Sequence, residues 1–294
     1  MNALFRSVVT GGAAAGMMIL AGCAPDAPPV TSPDVVSRAD RDRGDRDDAG
    51  EHGLHRQYGV PIRLGNGRAR TYVVLDARAG QAPVELGVAL DARALDGLPN
   101  DAEEHSMVLQ LPARSPAPYQ FVELDWNPQG HEPRGVYTFP HFDFHFYALP
   151  VSEWNTIVPS DPSYAAHANR VPTGAHVPPF YVVPGPPAVV AVPKMGVHWL
   201  DVRSPELQNL FGNPAGYRQF TKTFIYGSWN GRFTFYEPMI TRAYLLSHPD
   251  DVVTPIPTPS LYPLPGYYPR AYRVTYDPQE REYRVALTSL TRQP

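Results

Sequence analysis

Along much of the chain apolar residues recur with a period of two, the spacing at which side chains share one face of a strand. Near the C-terminus Tyr272, Val274 and Tyr276 alternate with Arg273 and Thr275. Beyond the turn residues Asp277-Pro278-Gln279-Glu280, the residues Tyr283, Val285 and Leu287 alternate with Glu282 and Arg284, which predicts a hairpin. Residues 71–76 and 83–90 predict two strands around a turn at 77–81. Residues 106–111 and 119–126 predict another two, and 223–226 with 232–236 a further pair. Within 119–126, Val122 and Leu124 alternate with Glu123 and Asp125, which places both carboxylates on the solvent side. Asp91 is expected to cap a short helix ending at Gly97. Residues 254–269 are rich in Pro and Tyr and read as an extended connection.

Composition points the same way. The 35 prolines among 294 residues disfavour long helices, and 17 Tyr with 12 Phe favour strands. The expected fold is mainly β, an antiparallel sandwich or barrel with a few short helices. Net charge is −4 and no basic patch interleaved with aromatics occurs, which argues against nucleic-acid binding. No phosphate-binding glycine loop or dinucleotide fingerprint is present. Gly227-Ser228-Trp229-Asn230-Gly231 has the spacing G-S-x-x-G rather than that of a nucleophile elbow, and a turn between strands accounts for it.

Candidate chemistry concentrates in the middle of the chain, at Pro140-His141-Phe142-Asp143-Phe144-His145-Phe146-Tyr147. In a strand, His141, Asp143 and His145 share one face, and the three phenylalanines point the other way. Residues i and i+2 lie about 6.6 Å apart and i and i+4 about 13 Å. His141 and His145 therefore share an ion only if the strand bends or bulges between them. Further candidate ligands are His131 in Gly130-His131-Glu132-Pro133, His198 in Met195-Gly196-Val197-His198, and Glu237 in Phe235-Tyr236-Glu237-Pro238. Imidazole and carboxylate suit a divalent metal such as zinc, iron, manganese or copper. The alternative is a buried hydrogen-bond network made of the same groups. His52, His55, His105, His167, His176 and His248 read as surface residues. Two classes of function follow: a metal-dependent enzyme or metal-binding protein, or a non-catalytic module that binds a small molecule, saccharide or peptide.

Asp125-Trp126-Asn127-Pro128, Gly130-His131-Glu132-Pro133, the segment from Pro140 to Tyr147, Met195-Gly196-Val197-His198 and Glu237-Pro238-Met239 together resemble a family of exported bacterial proteins. That family carries a Thermus-type domain of unknown function. The resemblance runs from about Tyr58 to the C-terminus and implies a secreted, β-rich domain without implying a reaction. The order of ligand-type residues is only loosely similar to that of cupins, because Asp143 stands between the two histidines.

The N-terminus indicates the compartment. Arg6 precedes an uncharged apolar run at 8–20, shorter than the roughly 20 residues of a membrane-spanning helix, as in a secretory signal. Leu20-Ala21-Gly22-Cys23 resembles the bacterial lipobox, which implies cleavage before Cys23 and lipid on its thiol. Ala24 after the cysteine leans toward the outer membrane. Cys23 is the sole cysteine, so intramolecular disulfides are excluded and any metal site must use His and carboxylate alone. The expected organisation is a signal peptide at 1–22, a tether at 23–57 and one β-rich domain at 58–294. The tether is Pro/Ala-rich and then mixed in charge, too poor in apolar residues to order itself. The membrane is then a partner through the lipid, with the domain outside the cytoplasm. Replacing Cys23 by Ser is expected to abolish incorporation of labelled fatty acid and to move the protein from the membrane to the soluble fraction. Retention in the membrane after that change contradicts the anchor.

Overall fold

The computed structural model describes residues 53–294, so the signal and most of the tether lie outside the described residues. The first seven strands are Leu54–Tyr58 (β1), Ile62–Leu64 (β2), Gly67–Asp76 (β3), Ala82–Asp91 (β4), His105–Gln110 (β5), Phe121–Asn127 (β6) and His141–Tyr147 (β7). They are followed by Tyr181–Val182 (β8), Val197–Asp201 (β9), Lys222–Trp229 (β10), Arg232–Thr241 (β11) and Val252–Pro255 (β12). Gly266–Tyr268 (β13), Ala271–Asp277 (β14), Glu282–Thr288 (β15) and Thr291–Gln293 (β16) complete the set. One sheet has the order β1-β3-β4-β15-β14-β12, with β2 beside β3. The other runs β5-β6-β7-β11-β10-β9-β8, and β13 pairs with β16.

The two large sheets are antiparallel and pack face to face as a sandwich, with no closed barrel. The period-two pattern explains the core between them. Val73, Leu86, Val88, Val274, Val285 and Leu287 come from the first sheet, and Val122, Leu124, Phe142, Phe144, Phe146 and Tyr236 from the second. The predicted C-terminal hairpin is β14–β15, with Tyr272 opposite Leu287 and Val274 opposite Val285.

Three expectations change. The domain starts before Tyr58, because Leu54–Tyr58 is an edge strand paired with Tyr72–Asp76 of β3. After Asp91 comes a single 3-10 turn, Ala92–Leu95, and the Asp91 side chain does not cap it. The connection at 254–269 ends in a short strand, Gly266–Tyr268, which pairs with the extreme C-terminus.

The outer face of the second sheet is also covered. Phe121, Tyr147 and Phe235 at one end of it meet Leu149, Ile157, Tyr164 and Trp229. Ile225, Met239 and Leu200 at the other end meet Val136, Tyr137, Leu207 and Phe220. The long connections around β8 and before β10 thus roof the sheet, and β6, β7 and β11 are buried on both faces. Phe144 is fully buried at the centre of the inner face. Phe144→Ala should cost about 3–5 kcal/mol of stability, read by chemical denaturation; a loss under about 1 kcal/mol contradicts this packing.

Candidate metal centre

The roof leaves a polar strip between its two apolar clusters, and the alternation of three neighbouring strands fills it. β6 supplies Glu123, Asp125 and Asn127, and β7 supplies His141, Asp143 and His145. Their register is continuous: Glu123 faces His145, Asp125 faces Asp143 and Asn127 faces His141. β11 pairs Tyr236 with Phe146 and Met239 with Asp143, so the unchanged register brings Glu237 opposite His145. His198 enters from β9, where it pairs with Gly227. A Cβ on Gly227 would overlap the ring of Phe235. Glycine there lets that ring settle against both His145 and His198, at centroid distances of 4.9 and 5.3 Å. His131 arrives from the turn after β6. Gly130 has φ +66 and lies so close to the Tyr137 carbonyl that no Cβ fits. The His131 N–H bonds that same carbonyl at 3.0 Å.

These side chains form three groups whose ligand atoms lie within 4.8 Å of one another: His131/His141/Asp143, His145/His198/Glu237 and Glu123/Asp125/His145. All six expected ligands are thus brought together on one face, but not around one point. The β6–β7 register has no bulge, so His141 and His145 keep strand separation and join different groups. None of the other described histidines joins a group, and His52 lies outside the described residues.

In the first group His141 Nε2 is 3.1 Å from Asp143 Oδ1, and His131 Nε2 is 3.3 Å from Asp143 Oδ2. The other ring nitrogen of each histidine meets a backbone carbonyl: His141 Nδ1 at 2.6 Å from Phe139 O, His131 Nδ1 at 2.7 Å from Glu132 O. A carbonyl only accepts, so both Nδ1 atoms carry hydrogen, and Nε2 is the nitrogen that faces Asp143, a donor when protonated and a lone pair when not. Asn127 Nδ2 donates to Asp143 Oδ2 at 2.8 Å and fixes the carboxylate. In the second group Glu237 Oε2 is 3.4 Å from His145 Nε2 and 3.9 Å from His198 Nε2. His145 Nδ1 lies 3.0 Å from Asp125 Oδ2.

Proximity here is only partly hydrogen bonding, and the His131 Nε2 contact with Asp143 is the one between these imidazoles and carboxylates that is aligned. His141 Nε2, Asp143 Oδ1, both ring nitrogens of His145, both oxygens of Asp125 and Glu237 Oε2 are buried without an aligned partner. Carboxylate faces carboxylate directly at Asp125 and Asp143, an arrangement that like charges disfavour. The opposite sheet handles buried acids differently. Glu282 meets Arg70 and Arg284, and Glu85 meets Arg273, at 2.8–3.0 Å. Among the described residues no Lys or Arg forms a salt bridge with Glu123, Asp125, Asp143 or Glu237.

Electrostatics follow from this. Burial works to raise the Asp143 pKa, but the charges and hydrogen bonds of His141 and His131 hold it well below the usual range. Burial lowers His198 to about 3, helped by the charges of His145 and His131, so its imidazole is neutral. Burial pushes Glu237 up to about 8 against the pull of His145. Burial, with Asp125 beside it, pushes Glu123 up to about 7, while Tyr147 donates its hydroxyl to Glu123 at 3.2 Å.

Glu123 and Asp125 overturn the expectation of a solvent-facing pair, since they are 5% and 0% exposed. The roof segments that cover them come from distant parts of the chain. The signal in the sequence was Phe121, an aromatic on the same face as the two carboxylates. Asn127 and Tyr147 also belong to the centre, and as neutral side chains neither stood out as a candidate ligand.

No family model, curated protein or solved structure matches the chain. The donor set is nevertheless informative: His131/His141/Asp143 and His145/His198/Glu237 each offer two imidazoles and a carboxylate, Glu123/Asp125/His145 offers two carboxylates and an imidazole, and donors of this kind, without thiolate, suit a borderline or hard divalent cation.

In chelator-treated protein, burial tends to lower the His131 pKa, but its hydrogen bond to Asp143 and the Asp143 charge raise it from 6.5 to about 9. A raised imidazole pKa adds stability that is fully present below the unfolded value and is lost as pH rises through about 9. Asp143→Asn should lower this titration, because only the Glu132 carbonyl and the Glu237 charge then oppose burial. Imidazole NMR reads both, and an unshifted titration contradicts the contact.

Proposed function

We propose that this chain is a lipid-anchored protein of the bacterial cell envelope whose β-sandwich holds a divalent metal ion between imidazole and carboxylate side chains. The observation that carries the reading is the set of buried, unaligned lone pairs. Adjacent corners of a tetrahedron with bonds near 2.0–2.1 Å lie about 3.3–3.4 Å apart. The unaligned nitrogen–oxygen separations of 3.1 and 3.4 Å match that spacing, the His131–Asp143 hydrogen bond at 3.3 Å has the same length, and His198 at 3.9 Å from Glu237 lies slightly wider. An ion drawn to these lone pairs also relieves the carboxylate repulsion. An ion held by His131, His141 and Asp143 would supply Lewis acidity and would make a water more acidic, which fits metal-assisted hydrolysis as the class of reaction. The lipobox-like segment and the mixed-charge tether support export and anchoring.

A second reading rests on Asn127 and Tyr147. Each makes a direct hydrogen bond to a carboxylate of the strip, as in a structural network of a non-catalytic binding module.

The two readings separate on metal content and on Glu237→Gln. The full chain carrying Cys23→Ser is stripped with chelator and reloaded with zinc or manganese. At a hundredfold excess over the dissociation constant, binding adds about 2.7 kcal/mol, or roughly 5–10 °C in Tm for a domain of this size. Glu237→Gln should leave the stripped protein as stable as before and weaken the metal-dependent rise. A structural network instead predicts no metal effect and a Tm lowered by the substitution alone.

A further inference from the structure

The polar strip contains two complete donor sets of the same kind, and we infer that it binds two divalent ions side by side, the second held by His145, His198 and Glu237. This rests on the metal reading above and adds a second site to it.

Each set has two imidazoles and one carboxylate. Each also has one histidine at the rim and two deeper ligands: His131 over His141 and Asp143, and His198 over His145 and Glu237. The rim side chains are 34% and 20% exposed, against 4% or less for the deeper four. Each locus therefore has one ligand-type side chain that reaches solvent. One ion cannot serve both, because His141 and His145 project from an unbulged strand about 13 Å apart, and first-shell bonds reach only about 2.1 Å.

The second locus has its own unpartnered atoms. Both ring nitrogens of His145, 1% exposed, and Glu237 Oε2, 2% exposed, lack aligned partners. His145 Nδ1 faces Asp125, an acceptor when ionised, so Nε2 is the nitrogen on the side of Glu237 and His198 and the one that would ligate once a cation displaces its proton. His145 cannot turn the same nitrogen toward Glu123 and Asp125. Glu123 is moreover already the acceptor of the Tyr147 hydroxyl. Asp125 is thus a positioning residue for His145 rather than a ligand.

The test is zinc stoichiometry by elemental analysis and calorimetry, on the full chain carrying Cys23→Ser. His131→Gln and His198→Gln are the variants, since both positions lie at the rim and circular dichroism can verify their fold. Two ions per chain are expected for the parent. Each single variant should retain one ion, with the lost site weakened at least a hundredfold, and the double variant should retain none. Visible spectra of the cobalt-loaded protein provide a second readout, each variant losing a different part of the absorption band. One ion per chain, lost with His131→Gln alone or lost with either variant, overturns the second site while leaving a metal centre. No ion in any form overturns the metal reading itself.

Discussion

A strand buried on both faces, one apolar and one ionisable, is the constraint on which the rest of this molecule depends. In β7 three phenylalanines fill the sandwich core while His141, Asp143 and His145 are shut beneath the roof. The aromatic face gains from leaving water, and the polar face loses solvation that something else must replace. Strand geometry leaves little freedom in how this is done. With the register of β6, β7 and β11 fixed by the core, Asp125 is held opposite Asp143 and Glu237 beside His145. Any compensation has to come from what sits between those groups.

The two sheets resolve the same problem with different chemistry. On the outer face of the first, buried Glu282 and Glu85 are met by guanidinium groups, which donate hydrogen bonds and need no further partner. On the outer face of the second, carboxylates meet imidazoles, which donate when protonated and offer a lone pair when not. Two of those imidazoles are oriented by backbone carbonyls, and a third by Asp125. That orientation aims Nε2 of each at a carboxylate, the arrangement a shared cation would use.

Much of this was legible in the sequence, for local reasons. Alternation in His141–Tyr147 gave both faces of β7, and the missing cysteines confined any centre to nitrogen and oxygen donors. The strand-length argument that His141 and His145 could not share an ion without a bulge left one of them beside Asp143 and the other in a supporting or structural role, whereas each stands in a ligand-type group of its own. What escaped depended on distant chain. Glu123 and Asp125 follow the same alternation as a half-exposed strand, and only the roof from the connections around β8 and before β10 distinguishes burial from solvation. The start of the domain was placed too late because Leu54–Tyr58 has no pattern of its own, and its pairing with β3 makes it a strand. Asp91 was a plausible cap by type, but the turn after it is too short to need one.

The central claim is that imidazole nitrogens and carboxylate oxygens of this strip bind a cation directly. X-ray absorption at the zinc edge of the loaded protein tests that most directly. The account predicts a first shell of nitrogen and oxygen near 2.0–2.1 Å, no sulfur, and outer-shell scattering from two imidazoles per ion. A shell of oxygen alone, without the imidazole signature, would contradict it.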